Sequence, residues 1–161
     1  MAWAGPKPLW IAAPPAKAAA ISEPRAASPP GSSAAWMSAI HKGLGPAHAV
    51  ALACGDQHVH HGTLIGIALP HTTRLLAHHL PVKAARLRAA MGLPENSDIG
   101  DVLADLVASL GLPTTLGGAG YRLREPDQAA AAMAASPFNR SSPYAPTRDE
   151  YRAVVAEIAG T

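Results

Sequence analysis

Cysteine, aromatic residues and charge are all scarce in this sequence. The single cysteine, Cys54, excludes an internal disulfide and suits a reducing compartment. Aromatic residues make up 4% of the chain and charged residues 15%, and the apolar residues are mainly alanine and leucine, which favours helices over strands. The net charge of +2, without a basic cluster, does not indicate a nucleic-acid partner, and no apolar run is long enough to span a membrane.

Residues 1–35 differ in composition from the rest of the chain. They contain seven of the sixteen prolines, mixed with alanine, serine and glycine. Proline disfavours helix, and too few large apolar side chains are present to offset the entropy lost on ordering. We therefore expect a disordered tail, in which Trp3, Trp10 and Ile11 are the side chains able to dock elsewhere. The prolines also interrupt the apolar run of a signal peptide, so we expect a cytoplasmic protein.

Residues 36–161 show helical patterning and predict an all-α bundle of five to six helices. An apolar helix is expected at 36–53, with a break near Gly43, Gly45 and Pro46. A second apolar helix, 62–80, should be buried on all sides over 64–69 and kinked at Pro70.

Three further helices are expected at 81–91, 98–110 and 125–136. In the first of these, Arg86 and Arg88 should face water, and in the second, Asp98 should be the N-cap. The last helix is the best defined, since Thr147 caps it and Glu150 completes a capping box. Its buried stripe should consist of Tyr151, Val154, Val155 and Ile158.

Two of the eight histidines, His48 and His61, are candidate metal ligands. His48 falls late in the first predicted helix and His61 just before the second, so the two helices can direct both imidazoles to one point. His61 also lies at a helix N-terminus, where the helix dipole favours the neutral ring that a metal requires. Spacing alone leaves an incidental, structural role open, because a tight metal site generally takes at least three protein ligands.

The remaining histidines and the cysteine are expected to be structural. Five histidines have no evident pairing logic and are expected at the surface or between helices, namely His58, His60, His71, His78 and His79. His78 and His79 fall at a helix end, where they can bond free carbonyl groups. Cys54 is interpreted as a small core residue, since no base is fixed beside it.

The segments KGLGPAHAVALACG and HHGTLIGIALPHTTRLL resemble the signature of the iron-dependent alcohol dehydrogenases. In that signature a glycine-rich stretch, here 43–45, leads to a ligand histidine, here His48. A short loop then leads to a His-Gly pair, here His61 and Gly62, and to an apolar helix that contains Leu-Pro-His, here 69–71. Downstream, GLPTTLGGAG and SSPYAPTRDEY resemble a turn and a pre-helical segment of the same family, so that the resemblance covers about residues 36–160.

The resemblance implies part of a two-domain NAD(P)-dependent oxidoreductase that interconverts an alcohol and an aldehyde or ketone. An α/β domain would bind NAD or NADP, and a helical domain would hold one divalent metal, iron or alternatively zinc, by an Asp and three His. His48 and His61 would be two of those ligands. The implied partner is a small alcohol or aldehyde substrate, and a homo-oligomer is compatible with the resemblance.

Several family features are missing from the chain. The Asp-x-x-x-His pair expected upstream of His48 is absent, as is the Gly-Gly-Gly-Ser phosphate loop. Leu52 occupies the place of a second histidine near the nicotinamide, and Ser142 and Tyr144 stand where Asn and Arg are usual. The sequence therefore predicts a fragment that is inactive alone, with no catalytic residue assigned, or alternatively a non-catalytic helical metal-binding or interaction module.

Overall fold

The regular secondary structure of the described part of the protein consists of helices. The computed structural model describes residues 37–39 and 41–160, and the expected tail, 1–35, lies outside this part. Two short 3₁₀ helices, Gly55–Gln57 and Pro137–Ser141, accompany six α-helices that are described in full; residues 37–39 and 41–42 are also helical, and the described residues include no strand. We number the α-helices α1 (Pro46–Ala53), α2 (His61–His79), α3 (Pro81–Ala90), α4 (Ile99–Ser109), α5 (Pro126–Ala134) and α6 (Arg148–Ile158). The all-α prediction is confirmed.

The predicted break in the first helix is confirmed and begins α1 at Pro46. Residues 43–45 are not helical, and Gly43 has a φ of +79°, which favours glycine. Pro46 takes the first helical position, where its missing N–H costs no helical hydrogen bond. His48 therefore lies near the start of α1, and the expectation that it falls late in a longer helix is wrong.

The hydrophobic core surrounds α1. Ala49 and Val50 of this short helix have no exposed surface, and α1 packs against both α2 and α5. Helix α6 closes the core from the side of α2 and α5. The small side chains of α1 allow its neighbours to approach closely, and large side chains from those neighbours fill the space between them, namely Leu64, Ile67, Met133, Tyr151 and Ile158.

The last helix, α6, forms as predicted. Thr147 and Glu150 make both hydrogen bonds of the capping box, and the predicted stripe is buried in full. Beyond the helix, the N–H of Leu116 donates to the carbonyl of Ile158 over 2.8 Å. The 111–120 segment is a turn, as predicted, and it provides a partner for a carbonyl group at the end of α6.

Helices α2 and α4 approach most closely where Gly100 meets Pro70. A β-carbon on Gly100 would lie 2.7 Å from the carbonyl oxygen of Pro70, so a larger residue there would separate the helices. Asp98 caps α4 as predicted, and its carboxylate accepts from Arg74 over 3.1 Å. Asp101 accepts from the same guanidinium over 2.6 Å, which fastens the start of α4 to α2.

Two sequence expectations about burial are wrong. Leu69 is 38% exposed, so α2 is not buried on all sides over 64–69. Arg86 is exposed as predicted, but Arg88 is half-buried, and its Nε atom is buried. Among the described helices, none combines the length and apolarity that spanning a bilayer requires.

Candidate metal centre

The structure brings His48 and His61 together. His48 is the third residue of α1 and His61 is the first residue of α2. Their ring centres lie 5.4 Å apart, with the ring planes inclined at 51°. The two helices are joined by a connection of seven residues, 54–60, which is short enough to keep the start of α2 beside α1.

The spacing of the two rings fits coordination of a single ion. Imidazole nitrogens bind zinc at about 2.0–2.1 Å, and two rings that share one tetrahedral ion then have centres roughly 5 Å apart. In the described part of the chain, however, no group of three or more His, Cys, Asp or Glu side chains is placed to hold a metal. The chemistry of the donor set therefore fits half of a four-ligand site.

The electrostatic environment of His48 favours its neutral form. Burial lowers the pKa of His48, and the neighbouring His61 lowers it further. A neutral imidazole has a free lone pair, which is the form that binds a metal. His48 is half-buried and His61 is exposed, so this pair of rings is open to solvent on one side.

An aromatic side chain that was not predicted from the sequence lies beside His48. The ring of Phe138 lies 5.9 Å from that of His48, at an interplanar angle of 69°. Phe138 belongs to the 3₁₀ helix Pro137–Ser141, which contacts α1. The chain has a single phenylalanine, but its separation from His48 along the sequence gave no sign of this contact.

The other histidines near the pair are surface residues, as predicted. His58 and His60 are both exposed, in the connection between α1 and α2. His58 has a φ of +59°, a left-handed conformation that reverses the chain direction before α2. His60 precedes α2, and a β-carbon added to Gly62 would lie 3.2 Å from its ring.

Two further histidines link α2 to α6. The Nδ1 atom of His71 lies 2.6 Å from the Oε2 atom of Glu157, in agreement with the expected interhelical position. His79 Nε2 lies 2.5 Å from Glu150 Oε1, and its ring stacks on Tyr144 with a centre-to-centre distance of 3.8 Å. The expected interhelical position of His79 is confirmed, and its ring reaches a carboxylate of another helix instead of a free carbonyl at the end of α2.

Cys54 is a core residue, as predicted. It has no exposed surface, and burial raises the pKa of its thiol to about 11. The hydroxyl of nearby Tyr121 donates to the Asp56 carboxylate over 2.9 Å. A thiol with so high a pKa is almost entirely protonated near neutral pH, so Cys54 is unsuited to act as a nucleophile.

Fold and site together define a helical bundle that presents two adjacent imidazoles at its surface. Over 129 residues the chain is 30% identical to a 4-hydroxybutyrate dehydrogenase from Cupriavidus necator. The match covers 74% of this chain and 34% of that relative, so the chain spans about a third of the relative's length. No protein-family model matches the chain, and no solved structure matches it.

Proposed function

We propose that the described helices are part of the metal-binding domain of an iron-type alcohol dehydrogenase, with His48 and His61 as two ligands of its divalent metal. The observation that carries the proposal is the 5.4 Å separation of the two rings at the starts of α1 and α2. The similarity to a dehydrogenase over most of the chain supports it independently.

In this proposal the chain holds and orients the ion. When bound, the ion acts as a Lewis acid on the oxygen of an alcohol or aldehyde substrate, while NAD or NADP exchanges the hydride. His48 contributes a neutral ring, because burial lowers its pKa. His61 contributes a second ring from the first turn of α2. Because the relative is a 4-hydroxybutyrate dehydrogenase, a small hydroxy acid is the first candidate to assay.

We further propose that the chain alone supplies only half of the metal site. The described residues offer two ligands, whereas catalytic metal sites commonly use three protein ligands and an open position. The purified chain should therefore bind a divalent ion weakly and show no alcohol oxidation with NAD or NADP. Alcohol oxidation that depends on His48 would contradict the half-site proposal.

Zinc titration of the full chain tests the ligand assignment. We expect His48→Ala and His61→Ala each to weaken Zn²⁺ binding by roughly tenfold or more, since each removes half of the protein ligands. His58→Ala and His78→Ala are matched controls, because both histidines are exposed and stand outside the pair. Binding that survives His48→Ala unchanged would remove the assignment.

A second candidate is a non-catalytic helical module that binds metal or another protein. The structural feature that bears on it is the exposure of large apolar side chains, among them Val82 at 74% and Leu52 at 56%. Metal affinity separates the two candidates. Tight, stoichiometric Zn²⁺ binding by the chain alone would favour the module, while weak binding that requires both histidines favours the incomplete dehydrogenase site.

A further inference from the structure

In the described part of the chain, the ring of His48 contacts other rings and is not hydrogen-bonded to a protein group. Metal-binding histidines almost always donate their second ring N–H to a carboxylate, a carbonyl or water. Within the described residues, the histidine rings that hydrogen-bond to another side chain are those of His71 and His79. His48 instead lies between two rings, His61 at 5.4 Å and Phe138 at 5.9 Å.

The contact between Phe138 and His48 has a favourable aromatic geometry. The interplanar angle of 69° is close to an edge-to-face arrangement, which brings the positive edge of one ring to the negative face of the other. A centre-to-centre distance of 5.9 Å falls within the preferred range for such pairs. The contact therefore restricts the rotation of the imidazole about its side-chain bonds.

Phe138 is suited to orient another ring because its own backbone is fixed. The side-chain amide of the next residue, Asn139, donates to the carbonyls of Met133 and Ala134 over 2.8 and 3.1 Å. Its oxygen accepts from the hydroxyl of Tyr151 over 2.6 Å. Asn139 is 5% exposed, so these buried hydrogen bonds fasten the 3₁₀ helix to the end of α5 and to α6.

The same 3₁₀ helix is also fastened to the segment that precedes α1. The hydroxyl of Ser141 donates to the carbonyl of Leu44. Gly43 packs so closely that a β-carbon on it would lie 2.5 Å from the β-carbon of Ser141. The hydrogen bonds of Asn139 and Ser141 therefore fix the 3₁₀ helix that carries Phe138. One of them joins this helix to the segment that leads into α1, the helix of His48.

We propose that Phe138 is a positioning residue that holds the imidazole of His48 in its metal-binding orientation. This inference rests on the proposed function, because it takes His48 to be a ligand. Replacing the ring with an aliphatic side chain frees the imidazole to rotate, and metal binding must then restrict it again. From the usual strength of an aromatic pair, we expect a loss of about two- to tenfold in affinity.

Zn²⁺ titration of the full chain by calorimetry, repeated with Co²⁺ by absorption spectroscopy, tests the inference. Phe138→Leu should weaken Zn²⁺ binding by about two- to tenfold and change the Co²⁺ spectrum, which reports ligand geometry. Phe138→Tyr keeps the ring and should stay nearer to the wild-type affinity. Val107→Ala is the matched control, because it removes buried apolar surface in α4 and should lower thermal stability without changing Zn²⁺ affinity.

The outcomes distinguish this inference from the function on which it rests. If His48→Ala abolishes Zn²⁺ binding but Phe138→Leu leaves it unchanged, Phe138 is not a positioning residue and the ligand assignment stands. If His48→Ala has no effect, the ligand assignment fails. An NMR measurement needs no variant: cross-relaxation between the ring protons of Phe138 and His48 should be present before Zn²⁺ is added and persist afterwards. Absence of that signal in the folded, metal-free chain overturns the proposal even if Phe138→Leu does not fold.

Discussion

Glu150 joins the cap of α6 to the end of α2, and its removal should destabilise the fold measurably. Its carboxylate accepts from the N–H and the hydroxyl of Thr147 over 2.7 and 2.9 Å. The hydroxyl of Tyr144 donates to it over 2.8 Å, and Nε2 of His79 lies 2.5 Å away. Although burial alone would raise the pKa of Glu150, the hydrogen bonds from Thr147, Tyr144 and His79 lower it to about 2, from an ordinary value of 4.5.

The pKa of Glu150 gives the size of the expected effect. A shift from 4.5 to about 2 corresponds to at most about 3 kcal/mol of stabilisation by the charged form. The side chain is 22% exposed, so screening by water reduces this contribution to about 1–2 kcal/mol. Glu150→Ala also removes half of a capping box, and the combined loss should be about 2–3 kcal/mol. For a folded region of this size, that loss lowers Tm by roughly 6–12 °C at pH 7.

The pH dependence follows from the direction of the shift. Because folding lowers the pKa of Glu150, the folded state resists protonation of this carboxyl group. Its stabilisation is complete above about pH 5 and is lost as the pH falls toward 2. The difference in Tm between wild type and Glu150→Gln, measured by circular dichroism, should therefore be largest near pH 7 and should shrink toward pH 3. Taking the difference removes the contributions of Asp56 and Asp98, whose pKa values are also lowered.

Asp149→Ala is the matched control for the Glu150 variants. Asp149 is exposed in the first turn of α6, and its side chain makes no hydrogen bond or ion pair with the described residues. Its loss removes only a favourable interaction with the helix dipole, worth about 0.3–1 kcal/mol. The stabilising role of Glu150 is refuted if Glu150→Ala lowers Tm no more than Asp149→Ala does at pH 7. A Tm difference for Glu150→Gln that is the same at pH 7 and pH 3 refutes it equally.

Two further predictions concern packing and are checked by urea unfolding at neutral pH. Gly100→Ala should destabilise the protein by more than about 1 kcal/mol, because the new β-carbon would meet the carbonyl oxygen of Pro70. Gly66→Ala should stabilise it by about 0.5–1 kcal/mol, because a β-carbon on this residue of α2 would meet no other atom. Equal effects of the two substitutions would contradict the prediction. Tyr151→Phe should cost about 1–3 kcal/mol, because it leaves the buried Asn139 oxygen without its donor, and an unchanged unfolding midpoint would show that water replaces the hydroxyl.

Features set by neighbouring residues could be predicted from the sequence. The capping box of Thr147 and Glu150 depends on residues three positions apart, and the buried stripe of α6 depends on helical periodicity alone. A short connection between two packed helices also favours the proximity of His48 and His61, although His48 lies near the start of α1 and not late in a longer helix as expected. Each of these features depends on residues that lie close together in the sequence.

Contacts between distant segments could not be predicted in the same way. His79 and Glu150 are 71 positions apart, and His71 and Glu157 are 86 positions apart, so their pairing depends on how α2 and α6 pack. Phe138 reaches His48 only because Asn139 and Ser141 fix the 3₁₀ helix on both sides. The sequence shows that such side chains are present, but the partner of each is decided by the assembled bundle.

Under the proposed function, the placement of the two imidazoles explains how half a metal site can be prepared before an ion binds. His48 extends from a helix whose neighbouring residues, Ala47 and Ala49, are buried in the core, so its backbone is ordered when the bundle folds. The entropy of that backbone is therefore lost on folding, and metal binding does not involve the same loss a second time. Because His61 is exposed, ligands from another segment could approach the solvent-facing side of the two rings. An ion bound there would connect that segment to α1 and α2, so under the proposed function metal binding and assembly of the complete site should strengthen each other.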